Sequence, residues 1–135
     1  MIRIMCDQDV LGLARAVLAR CRRAAWKPVW DELEIEIFTF ADLHLDVDSA
    51  DAAIWTACQT NQVVLLTGNR NADGPDSLEM TIRKHNAPDS LPVLTFADLK
   101  RLKHDSAYQE LVAERLLEKL IDLDALRGTG RIYLP

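Results

Sequence analysis

Ile2-Arg3-Ile4-Met5-Cys6-Asp7-Gln8-Asp9 opens the chain, and its reading decides the fold. A mostly apolar run that stops at two carboxylates reads as a buried strand with a polar tip able to face a hard cation. Val63-Val64-Leu65-Leu66-Thr67-Gly68-Asn69-Arg70-Asn71 repeats the layout with amides in place of acids. Its unbroken apolar stretch implies burial on both faces, the habit of a parallel sheet. Ligands of such sheets sit at the carboxyl ends of the strands. Two such ends side by side would form a pocket of carboxylates and carboxamides.

The intervening sequence fits this frame. Val10, Leu11, Ala14, Val17, Leu18, Cys21 and Ala25 recur at helical spacing, and Lys27-Pro28 is expected to break that helix. Residues 35–40, Ile-Glu-Ile-Phe-Thr-Phe, read as a second strand, and 41–47 as a loop. Asp48, Ser49 and Asp51 look like helix-start residues, with Asp48 the better cap. Ala50, Ala53, Ile54, Ala57 and Cys58 form the apolar stripe of the helix that follows. Residues 62–67 make the third strand, and 68–76 a polar loop.

Asp76-Ser77-Leu78-Glu79 reads as a capping box with Asp76 as cap, opening a helix from Ser77 to about His85. A fourth strand is expected over 91–95 and a short helix over 97–103. A longer helix runs from about Tyr108 to Leu123, with Leu111, Val112, Leu117, Leu120 and Ile121 inward. Gly128-Thr129-Gly130 turns the chain into a last strand, Arg131 to Leu134. Strands alternating with helices predict an α/β protein: three α/β/α layers around a mostly parallel sheet, in one domain spanning residues 1–135.

Composition narrows the function. A chain of 135 residues, 49% hydrophobic, can build one full core. Its net charge of −5 argues against nucleic-acid binding by bulk charge, so such contact needs a local basic patch. The three cysteines, Cys6, Cys21 and Cys58, lack zinc spacing and read as buried residues of a reducing, cytoplasmic compartment. No apolar run is long enough to span a bilayer. The basic residues cluster at Arg20, Arg22, Arg23 and Lys27, at Arg83, Lys84 and His85, and at Lys100, Arg101, Lys103 and His104, each near an expected helix C-terminus.

The candidate chemistry lies at the strand ends. Asp7 and Asp9 are either caps of the next helix or metal ligands, and Asp51 either complements a helix N-terminus or points into the site. Thr67, Asn69 and Asn71 would converge if the third strand continued to alternate; otherwise they form an Asn-rich turn. Arg70 among them could hold a phosphate. Gly-rich phosphate loops, nucleophile elbows and zinc signatures are absent.

Together these residues resemble the small bacterial PIN-like domains of unknown function, relatives of the PIN nucleases and toxin ribonucleases. Met5-Cys6-Asp7-Gln8-Asp9 is similar to the end of that family's first strand, and Phe38-Thr39-Phe40-Ala41-Asp42-Leu43-His44-Leu45 to the stretch at its second. Asp51 matches the aspartate that opens the next helix, and Thr67 the threonine of the following strand. The resemblance covers roughly residues 1–100 and implies magnesium- or manganese-dependent cleavage of RNA or DNA. Asp7 and Asp51 would be the core metal ligands, joined by Asp9. Asn69 and Asn71 would be neutral ligands or water-positioning groups, Thr67 would orient them, and Arg70 or Arg83 would contact phosphate. RNA, a protein partner of antitoxin type and a second copy of the chain are the partners implied.

The departure is that Asn69 and Asn71 stand where the family has aspartates. An amide oxygen can ligate but neutralises nothing and is a poor general base. The alternative is therefore a PIN-like module that has lost catalysis and serves in binding.

Overall fold

The computed structural model describes all 135 residues. Five parallel strands form one sheet in the order β2-β1-β3-β4-β5. They are β1 (Ile2–Cys6), β2 (Ile35–Phe38), β3 (Val63–Thr67), β4 (Val93–Phe96) and β5 (Arg131–Leu134). The helices are α1 (Leu11–Cys21), α2 (Lys27–Leu33), α3 (Asp51–Thr60), α4 (Leu78–His85), α5 (Leu99–His104) and α6 (Ser106–Ile121). The expected three-layer α/β/α architecture is present, and the sheet is parallel throughout.

Alternation along the strands divides the core in two. Ile4, Cys6, Val64, Leu66, Leu94, Phe96 and Leu134 pack against α1, α5 and α6, with α2 alongside. Met5, Val63, Leu65 and Val93 pack on the other face against α3 and α4. No helix is long and apolar enough to cross a membrane.

Those two faces reveal the handedness of the connections. From β1 the chain steps to β2 over the α1 face, then to β3 and β4 over the α3–α4 face, and all three steps have one hand. From β4 it steps outward again to β5, but over the α1 face, so the last crossover has the opposite hand. Crossovers in parallel sheets almost always share one hand. Here the exception runs through two helices, and α6 gains a place against α1, where Arg20 bonds Gln109 and Glu110 at 3.0 Å each.

Several local expectations need correction. Lys27-Pro28 does not end the first helix, which stops at Cys21; Pro28 sits in the first turn of α2, where its missing N–H costs nothing. The second strand stops at Phe38, and Phe40 is buried in a short 3-10 turn over Ala41–Leu43. Asp48 does not cap α3, whose N-cap is Ala50 with no side-chain bond. The stripe of α3 is Ile54, Trp55 and Cys58; Ala50 and Ala53 are exposed. In α4 the cap is Ser77, one residue beyond Asp76, and its hydroxyl accepts from the Met80 N–H. In α6, Tyr108, Ala113 and Leu116 join the buried face while Ile121 is exposed.

Candidate functional site

At the carboxyl edge, neighbouring strands send their chains to opposite faces: β2 toward α3, β1 toward α1, β3 toward α4 and β4 toward α5. Each divergence opens a crevice, the position where α/β sheets bind ligands. Asp7 follows β1 and Thr67 ends β3, and those strands are neighbours with Cys6 opposite Leu66.

Asp7 is 9% exposed. One carboxylate oxygen accepts from the Thr67 hydroxyl at 2.7 Å and the other from the Gln8 N–H at 2.8 Å. It is therefore both a cap of the 3-10 turn Gln8–Val10 and a hydrogen-bond partner of Thr67 across the crevice. Burial pushes its pKa above the ordinary value, the Asp51 charge adds to the rise, and the two hydrogen bonds oppose it. Asp9 is exposed at its surface yet partly desolvated; that desolvation, then the charges of Asp7 and Asp51, push it up to about 6.

Asp51, in the first turn of α3, points across to α4. Its Oδ2 accepts from the Leu78 N–H and from the Asn69 amide Nδ2, both at 3.1 Å. It thus satisfies one of the free N–H groups at the start of α4 while touching the strand-end loop. Thr67 joins the two acids, because its Oγ1 also accepts from the Asn69 N–H at 3.0 Å. Asp7, Thr67, Asn69 and Asp51 form one hydrogen-bonded chain across the crevice.

The side chains of the remaining candidates make no hydrogen bond to that chain. β3 ends at Thr67, so the alternation that would aim Asn71 at the same point does not continue. Asn69 Oδ1 accepts from the Asn71 N–H at 2.9 Å, and Asn71 Oδ1 from the Asp73 N–H at 3.0 Å. These are successive Asn turns. Asn71 and Arg70 are exposed. Arg83 is exposed on α4 and bonds Glu79 at 3.1 Å. Asp73, Asp76 and Asp51 border an open depression of about 450 Å³ with Asn71, Ser49 and Ser77. No group of three or more His, Cys, Asp or Glu side chains is gathered closely enough to hold a metal ion.

One residue escaped the sequence reading, and one basic cluster that it named has a neighbour it did not foresee. Arg131, its side chain 6% exposed, reaches from β5 beneath the loop. It donates to the Asn69 carbonyl at 2.8 Å, the Thr95 hydroxyl at 2.7 Å and Glu79 at 3.0 Å, so the terminal strand braces the site. A lone arginine opening an apolar terminal strand was the available signal. The cluster is the bank of α5: Lys100, Lys103 and His104 share a cleft of about 330 Å³ with Asp9, Val10 and Leu13. Gly68 permits this closeness, since a Cβ there would meet Leu99 and Val10 at 2.8 Å. The three cysteines are free and buried, and burial pushes Cys6 up to about 11 and Cys21 and Cys58 to about 12, so they stay protonated and unreactive.

No protein-family model matches the chain, and no curated protein or solved structure matches it either.

Proposed function

We propose that this chain is a PIN-like protein whose carboxyl edge is a divalent-cation site for nucleic-acid phosphate, a metal-dependent ribonuclease site in degenerate form. The observation that carries this reading is the shared cleft of Asp9 with Lys100, Lys103 and His104, beside buried Asp7. Phosphodiester chemistry needs anionic oxygens for an ion and cations for the substrate's backbone, close together. The cleft supplies both, in Asp9 and in the lysines, although the overall charge of the chain is negative. Lys100 and Lys103 replace Arg70 and Arg83 as the phosphate contacts in this account.

The donor set fits magnesium or manganese in part. Such ions take one or two carboxylates and keep several waters, so Asp7 and Asp51, with Asp9, would hold one partly through waters, since no three acids are gathered around one point. Bound there, the ion would supply an activated water. Thr67 holds Asp7 in place and Asn69 holds Asp51. For Asn69 to become a ligand its amide must turn over. That exchange gives up the bond to Asp51 and the bond from Asn71, each worth roughly 1 kcal/mol.

That same bond favours a second reading, a binding module without catalysis, because the Asn69 Nδ2 faces Asp51 as a neutral donor. Manganese-dependent cleavage of a single-stranded RNA oligonucleotide separates the two. The first reading expects slow cleavage, lost in Asp7→Asn and faster in Asn69→Asp, which returns a carboxylate. Inertness of both wild type and Asn69→Asp sinks it and leaves the second.

A further inference from the structure

We infer that the free edge of the sheet at β2 docks an extended, basic polypeptide segment of a partner protein as a sixth strand. β2 ends the strand order. The Ile2 N–H donates to the Glu34 carbonyl at 3.3 Å, and Ile2 stands opposite Ile35, which sets the phase of the ladder. In a parallel pair, residues whose backbone groups face the neighbour alternate with residues whose groups face away. Glu34, Glu36 and Phe38 therefore face β1, and Ile35 and Ile37 turn their N–H and C=O outward. Thr39 is the next outward residue, but it is occupied. Its N–H donates to the Asp42 carboxylate at 2.8 Å, and its carbonyl accepts from the Asp42 N–H at 3.1 Å. The open edge is short and sharply bounded.

The surroundings specify the occupant. Residues 28–69 contain eight Asp and Glu and no Lys or Arg. Asp31, Glu32, Glu34, Glu36 and Asp42 are all exposed. A second copy pairing antiparallel about Glu36 would set Glu36 against its own equivalent, and like charges directly opposite repel. A lysine or arginine in that place is attracted instead. On the other face of the strand Ile37 is 38% exposed and borders a cavity of about 70 Å³ with Leu11, Arg15 and Phe40. That space takes a small apolar side chain. The matching segment alternates basic and small apolar residues, with main-chain bonds to Ile35 and Ile37 giving attachment and the alternation giving choice. Cys6 and Gln8, which flank Asp7, also line that cavity, but the pairing of Ile35 and Ile37 uses none of the crevice's acids.

The test is an amide-resolved NMR titration of the full chain with acetyl-Lys-Val-Lys-Val-Lys-Val-amide and with its glutamate counterpart. The expected result is saturable shifts at the Ile35 and Ile37 amides with the lysine peptide alone. Glu36→Lys should weaken that binding about tenfold, since it turns an attractive cross-strand pair repulsive. Ile37→Pro, checked for an intact fold by circular dichroism, should abolish it. Absence of saturable shifts, an equal response to the glutamate peptide, or shifts confined to β5 would overturn the proposal.

Discussion

Asp7 answers two demands with one side chain: it closes the turn after β1 through the Gln8 N–H, and it accepts from Thr67 across the crevice. Capping a turn and reaching into the crevice are alternatives only when spacing is all that is known. Asp51 behaves likewise, serving α4 rather than its own helix. The acids nevertheless strain one another. Desolvation first, then the charges of Asp7 and Asp51, raise Asp9 to about 6 from an ordinary value of 3.8, so its proton is held more tightly in the folded chain than in the unfolded one. A group of this sign contributes fully at pH below about 3.8 and loses that contribution as pH climbs through about 6. Asp9→Asn is therefore expected to raise the melting temperature at pH 7 and to flatten the fall in stability between pH 4 and pH 7. A melting curve with the same pH dependence in both proteins would contradict the origin assigned to this shift.

At the scale of the element, the caps decide how α4 is anchored beside the site. Ser77 is buried and accepts from Met80, while Asp76 is exposed. Ser77→Ala should cost about 1 kcal/mol in chemical denaturation and Asp76→Ala should leave stability unchanged. The reverse order would restore the capping box read from the sequence. Most elements were legible, because a strand of apolar residues or a helix with a periodic stripe carries its own signal. Where the reading slipped, two residues competed for one role. Asp76 and Ser77 are both good caps, and only tertiary burial selects Ser77. Pro28 ends one helix or begins another equally well. Asn69 and Asn71 share a local pattern, yet only Asn69 meets Asp51, because β3 ends at Thr67. Arg131 could not be placed from sequence, since its partners come from β4, the β3 loop and α4.

Across the whole molecule, the last crossover places the basic bank of α5 beside Asp9. Had it taken the common hand, α5 would lie on the α3–α4 face, away from α1. On the α1 face, its lysines stand beside Asp9 and Leu99 packs against the strand end at Gly68. The same route commits the C-terminal quarter to the core. Leu102, Tyr108, Val112, Ala113, Leu116, Leu117, Leu120, Leu123 and Leu134 are nine of the 21 residues of the larger cluster. A chain cut after residue 100 should consequently fail to fold cooperatively. A sharp unfolding transition in the truncated chain would contradict the assignment of these residues to one core.

The central claim is that the carboxyl edge between β1 and β3 takes a divalent cation. Calorimetric titration of manganese into the full chain tests it most directly. The account predicts one bound ion per chain at pH 7, weaker binding at pH 5 where Asp9 takes up a proton, and loss of binding in Asp7→Asn with Asp51→Asn. Absence of binding by the wild-type chain, or equal binding by the double variant, would contradict it.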